Sequence, residues 1–143
     1  MKINDNARGD VTVLALSGRL TVETEAIVCS AVRGAFAEGR TNLVLDLAGV
    51  PYVDSCGLGV MAQAYVAAFR RGGAVKLANV NARNRRLLTI TRLLTVFEVF
   101  ESVDEAIGSF GSPANGRTGG QRSEEARNLS TIATNSAGLS SLG

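Results

Sequence analysis

The sequence contains no histidine and no tryptophan, and only two cysteines and two prolines; each shortage removes a class of chemistry. Without histidine there is no Ser-His-Asp or Cys-His relay, no phosphohistidine and no histidine-ligated metal. Cys29 and Cys56 form neither a CxxC pair nor a disulfide framework. No metal site or cofactor is therefore expected, and reduced thiols suit a cytoplasmic protein. Aromatic residues are too few for a base-stacking platform, and a formal net charge of +2 gives no bulk electrostatic attraction to nucleic acid. No apolar run approaches the roughly 18 residues that span a bilayer, so no membrane insertion is expected. The opening residues, Met1 to Asn6, are polar and lack the apolar core of a secretory signal.

What is present is enough for one packed domain. The chain has 143 residues and is 45% hydrophobic, within the range of a single core. Met1 to Arg8 reads as a weak edge strand, Gly9-Asp10 as a turn, and Val11 to Leu16, apolar and β-branched, as a second strand completing a hairpin. Thr21 stands before Val22-Glu23-Thr24-Glu25 as an N-cap with acids in the first turn. Val22, Ala26, Cys29, Val32 and Phe36 follow at helical spacing up to Gly39. Leu43 to Leu47 is nearly all apolar, the pattern of a strand covered on both faces. Leu58, Met61, Ala62, Tyr65, Val66 and Phe69 make one continuous helical stripe, closed by Arg70-Arg71-Gly72-Gly73. A strand over Ala74 to Val80 follows. Next come a basic helix over Arg83 to Leu94, with Leu87, Leu88, Ile90 and Leu94 as its apolar positions, a short strand over Val96 to Phe100, and a last helix opening at Asp104-Glu105. The order β-β-α-β-α-β-α-β-α predicts an α/β fold: a small mixed sheet with an N-terminal hairpin, parallel strands beyond it, and about four helices. The domain is expected over residues 1–111. Residues 112–143, dominated by Gly, Ser, Thr, Asn and Ala, are expected to form a flexible, disordered tail.

The chain is organised around the turn Val53-Asp54-Ser55-Cys56-Gly57-Leu58-Gly59, where a strand hands over to the best helix. A hydroxyl beside a carboxylate at a helix start is first of all a capping arrangement. Asp54 either caps the helix or orients the Ser55 hydroxyl. Gly57-Leu58-Gly59-Val60-Met61-Ala62 also fits the G-x-G-x-x-A dinucleotide fingerprint, but the next strand ends at Ala78-Asn79 with no acid for a ribose, and the chain is too short for two mononucleotide halves. Cys56 at a helix start is either a lowered-pKa thiol or a small packing residue. Arg83, Arg85, Arg86 and Arg92, with Arg70 and Arg71, are either a solvated face or a rim that steers an acidic partner.

With Asp54-Ser55-Cys56-Gly57-Leu58-Gly59 preceded by Leu45-Asp46-Leu47 and Val53, and with Gly72-Gly73 before a strand, the sequence from about Val11 to Phe110 resembles the STAS domain family, in particular its bacterial anti-anti-sigma members. The resemblance implies that Ser55 is phosphorylated by a partner anti-sigma factor that is a serine kinase, that the unphosphorylated protein binds this partner and frees sigma, and that a metal-dependent protein phosphatase resets the switch. It implies a regulator rather than an enzyme. Thr21, Asp54, Ser55, Cys56, Gly57, Leu58 and Gly59 are the expected partner-binding residues. A STAS adapter without phosphoryl control, holding a transporter ATPase or a signalling scaffold, is the second reading. Where antagonists of this family often carry Gly-Glu-Leu-Asp, this chain has Gly18-Arg19-Leu20-Thr21. Where they often have Ser-Gly-Leu, it has Thr91-Arg92-Leu93.

Overall fold

The computed structural model describes residues 1–110; the expected tail lies outside the described residues. Five strands form one sheet in the order β1-β2-β3-β4-β5: Lys2–Arg8, Val11–Ser17, Asn42–Gly49, Ala74–Ala78 and Val99–Phe100. The β1–β2 hairpin is antiparallel and every other pair is parallel, so the expected mixed α/β sheet is present. Alternation along the central strands sorts side chains between two cores. Leu14 and Leu16 of β2, Leu43, Leu45 and Leu47 of β3, and Val75 and Leu77 of β4 face helices α1 (Glu25–Ala37) and α2 (Ser55–Arg70). Val11, Val13, Val44 and Ala78 point the other way, where α4 (Val103–Phe110) covers them with Ala106, Ile107 and Phe110. Both faces of β3 are thus covered, which explains its apolar run.

Helix α2 is buried on nearly every side from Gly57 to Ala68, wider than the single stripe its periodicity predicts. It packs against α1 and against β4, and its Tyr65 ring meets Phe97 edge-on at 5.4 Å between centroids.

Several boundaries differ from expectation, among them the end of β4 at Ala78 instead of Val80. Helix α1 opens at Glu25, with Thr24 as its N-cap residue and no side-chain capping bond; Thr21 does not cap it. The stretch from Thr21 to Thr24 is folded back on itself instead. Thr24 Oγ1 donates to the Arg19 carbonyl at 2.7 Å and accepts from the Thr21 amide at 3.0 Å, and Thr21 Oγ1 accepts from the Glu23 amide at 3.3 Å. Val22, 59% exposed, is therefore outside the helix, Ala26 is exposed on it, and the buried stripe is Val28, Cys29, Val32 and Ala35. Helix α3 is shorter than expected, Ala82–Ile90, because Arg92 takes a left-handed conformation (φ 65°) that leads into a single 3-10 turn over Leu93–Thr95. Ile90 is consequently exposed rather than apolar core, and the residues from Val96 to Glu98 precede the last strand instead of opening it.

One buried cation had no signature in the sequence reading. Lys76, in the middle of β4 and pointing to the α4 face, is 3% exposed. Its Nζ donates to Ser109 Oγ at 2.8 Å, lies 3.5 Å from Glu98 Oε2, and sits 4.3 Å from the centroid of the Phe110 ring. Among the described residues no helix is long and apolar enough to cross a membrane.

Candidate functional site: the strand-to-helix turn before α2

Loops leaving the carboxyl ends of β2, β3 and β4 meet at one point, the usual location of function in an open α/β sheet. Leu20, after β2, and Val53, after β3, form an isolated parallel bridge. The Leu20 amide donates to the Tyr52 carbonyl at 2.9 Å, and the Asp54 amide donates to the Leu20 carbonyl at 3.1 Å. From the β4 side, Asn84 closes the junction. Its Nδ2 donates to the Val50 carbonyl at 3.0 Å and its Oδ1 accepts from the Val53 amide at 3.2 Å. Asn84 is 3% exposed, so both ends of its amide are satisfied in the interior, as a buried polar group requires. It is held there by Asn81, the N-cap of α3, whose side chain accepts from the Asn84 amide at 2.8 Å.

On this frame Asp54 is the N-cap of α2: its backbone is extended and Oδ1 accepts from the Gly57 amide at 2.9 Å. That resolves the two roles open to Asp54 in favour of the cap. Helix α2 begins at Ser55, three residues before the start expected at Leu58, because this cap stands three residues before Gly57. Ser55 occupies the first helical position. Its side chain is exposed, and its hydroxyl has no hydrogen-bond partner among the described residues. Gly57 is required by space: a Cβ there would lie 2.5 Å from the Leu20 carbonyl oxygen and 2.9 Å from Val53 Cγ1. The Gly57 amide, which a dinucleotide phosphate would need, is already bonded to a carboxylate, and that argues against the fingerprint reading.

Of the expected site residues, Ser55 is exposed, Thr21, Asp54 and Cys56 are half-buried, and Gly57, Leu58 and Gly59 are buried beneath them. Thr21 and Asp54 share the wall of an open cleft of about 440 Å³, whose rim also includes Arg19, Glu23 and Tyr52. Partial burial, and then the carboxylates of Asp54 and Glu25, push the Cys56 thiol up from its ordinary 9.0. The helix terminus therefore does not make a reactive thiolate of it. Among the described residues no group of His, Cys, Asp and Glu side chains is arranged to hold a metal ion.

Sequence reasoning missed two contributors. Asn84 was passed over inside a basic helix, although Asn81-x-x-Asn84 at a helix start is a recognisable capping signal. Tyr52, between Pro51 and Val53, belongs to no periodic pattern that would mark it. Its ring carries the guanidinium of Arg83 at 4.0 Å and that of Arg19 at 4.5 Å from the centroid. Within the basic group, Arg83 is also tied to the turn: Nη1 donates to the Val53 carbonyl at 3.1 Å and to Asn84 Oδ1 at 3.0 Å.

The chain is similar in sequence and fold to known proteins. An anti-sigma F factor antagonist of Paenibacillus polymyxa is 28% identical over 98 residues, spanning 68% of this chain and 84% of that protein. The crystal structure of an anti-sigma factor antagonist from Mycobacterium paratuberculosis superposes with a TM-score of 0.69 at 23% identity, covering 76% of this chain and 92% of that one. The Bacillus cell fate determinant SpoIIAA in its phosphorylated form shares the fold at a TM-score of 0.57 and 17% identity, covering 76% and 99% of the two chains. The family model for the STAS domain matches residues 2–106, and the chain belongs to that family.

Proposed function

We propose that the protein is an anti-sigma factor antagonist whose binding to an anti-sigma factor is switched off by phosphorylation of Ser55. The observation that carries this is the placement of Ser55: an exposed hydroxyl with no internal hydrogen bond, at the first position of a buried helix, on a turn fixed from three strands. A serine so presented enters a kinase active site without unfolding anything. In the transfer, Ser55 Oγ bonds to the γ-phosphorus of ATP, the bond to the bridging oxygen breaks, ADP leaves, and the hydroxyl proton passes to the kinase's base. The kinase supplies the nucleotide, magnesium and base. This chain supplies the acceptor and its orientation, and a protein phosphatase reverses the step by hydrolysis.

The phosphate adds about −1.5 to −2 charges beside Asp54. The helix terminus tolerates an anion there, so the domain stays folded while its docking surface changes. A charge buried without a matching partner costs on the order of 3–5 kcal/mol, which is roughly 100-fold or more in affinity. The antagonist names of the relative and of the superposed structure support the partner class.

The test is capture from the native cell with Ser55→Ala and Ser55→Asp. Identification of an anti-sigma kinase is followed by incubation of the purified pair with ATP and magnesium. Retention by Ser55→Ala, loss by Ser55→Asp and phosphate located on Ser55 by mass spectrometry are expected. Equal retention by both variants, with no phosphate on Ser55, refutes the switch and favours the adapter reading.

A further inference from the structure

Arg19, in the loop after β2, and Arg83, in the first turn of α3, converge on one ring, that of Tyr52, two residues before Asp54. Arg8, Arg40, Lys76 and Arg85 each lie within salt-bridge distance of a carboxylate, whereas neither Arg19 nor Arg83 has an acidic partner among the described residues. Arg83 uses Nη1 on the Val53 carbonyl and Asn84, which leaves Nε and Nη2 uncommitted. Leu20, next to Arg19, receives the Asp54 amide, and Val53, held by Arg83, lies two residues before Ser55. Two cations are thus each held on the Tyr52 ring, and Arg83 is tied as well to the Val53 carbonyl, in the residues that lead into Ser55.

The acids at this end of the molecule do not neutralise them. Asp54 gives Oδ1 to the Gly57 amide. Glu23 is exposed and lines the same cleft. Glu25, behind Cys56, has Oε2 buried without a hydrogen-bond partner. All three would repel a dianion on Ser55, which makes a local counter-charge necessary if that dianion is to be held.

We infer that Arg19 and Arg83 form a receptor for the phosphate of phosphorylated Ser55. This rests on the reading of Ser55 as the modified residue and adds the groups that receive the phosphate. Planar guanidinium forks match phosphate oxygens in pairs, and a phosphate tethered to the next residues is presented at high effective concentration. Phosphorylation then does two things to the docking face: it adds an anion, and it withdraws two arginines that an acidic partner would otherwise meet.

The test installs phosphoserine at position 55 by genetic encoding, so that no kinase is involved. The phosphate is titrated by phosphorus NMR in the parent and in the double variant Arg19→Gln/Arg83→Gln. An unperturbed phosphoserine has its second pKa near 6. Opposite charge favours the dianion, so the parent is expected to titrate at least about half a unit below the double variant. Superimposable titrations overturn the receptor. A readout that needs no variant is the arginine Nε–H spectrum of the parent. The Arg19 and Arg83 signals are expected to shift and sharpen on phosphorylation, and unchanged signals overturn the proposal, leaving a partner carboxylate as their ligand. Neither result bears on whether a kinase modifies Ser55, and absence of phosphate transfer in the kinase experiment leaves the arginine contact standing.

Discussion

Gly57→Ala tests the geometry of the turn most directly. In most helix interiors the change is favourable by up to about 1 kcal/mol, so propensity alone predicts a more stable protein. The structure predicts the reverse. The added methyl would meet the Leu20 carbonyl oxygen at 2.5 Å, Leu20 Cγ at 2.8 Å and Val53 Cγ1 at 2.9 Å. The first is a backbone atom that accepts the Asp54 amide, and it cannot retreat without loosening that bond. Overpacking of this kind costs about 1–3 kcal/mol, and a weakened hydrogen bond adds about 1 kcal/mol. After the propensity gain, a net loss of about 1–3 kcal/mol remains, or roughly 5–20 °C in melting temperature for a domain of this size. Urea unfolding followed by circular dichroism reads the loss as a lower midpoint at constant slope. Gly34→Ala is the control. It lies within α1 with nothing inside 4 Å of the new methyl, and should raise stability by up to about 1 kcal/mol. A Gly57→Ala protein as stable as the parent, beside a stabilised Gly34→Ala, would refute the claim that this helix start is closed against Leu20.

Asp54→Ala removes the α2 cap and should cost about 0.5–2 kcal/mol, most of it restored by Asp54→Asn, which still accepts from the Gly57 amide; chemical denaturation checks both. Glu98→Ala leaves the Lys76 ammonium buried without its carboxylate and should cost about 3 kcal/mol or more, whereas replacing Lys76 and Glu98 together by apolar residues should cost less than the two single losses combined, as a double-mutant cycle would show. The raised Cys56 thiol predicts slow alkylation at pH 8, accelerated by Asp54→Asn or Glu25→Gln, with iodoacetamide trapping and mass spectrometry as the assay. Because the folded-state pKa is raised, the stability contributed by this thiol is fully present below its unfolded pKa and is lost as pH rises through the folded value, above 9.0; a stability profile that rises across this window would contradict the assignment.

Much of this was legible from residue patterns because burial dictates them. β3 reads as a two-sided strand because α4 covers the face opposite α1 and α2, and the α2 stripe reads as a helix because it lies against the sheet. The features that escaped are those in which hydrogen bonding overrode periodicity. The Thr21–Thr24 loop competes with the helix for the same backbone groups, and nothing in the spacing of Val22 and Ala26 reveals that Thr24 closes on the Arg19 carbonyl. The end of α3 is set by one left-handed residue, Arg92, while Leu93 reaches the core regardless. Lys76 reads as a surface residue in any alternating strand; only the arrival of Glu98, Ser109 and Phe110 from later in the chain makes a buried ammonium tolerable there. At the site, the serine and its cap were visible in a six-residue motif, whereas the arginines on Tyr52 come from a loop and a helix far apart in sequence and are associated only by the fold.

The junction below Ser55 is built mainly from main-chain groups of Leu20, Val50, Tyr52, Val53 and Asp54, riveted by the side chains of Asn81, Arg83 and Asn84 at the start of α3. Of the side chains that stand out from it, at positions 19, 21, 23, 52 and 83, only that of Arg83 takes part in this bonding among the described residues, through Val53 and Asn84. A socket fastened through its backbone, with a rim made of replaceable side chains, allows copies of one gene to diverge in whom they answer without first becoming unstable. Arg19 and Thr21, which stand where antagonists of this family often carry acids, belong to that rim.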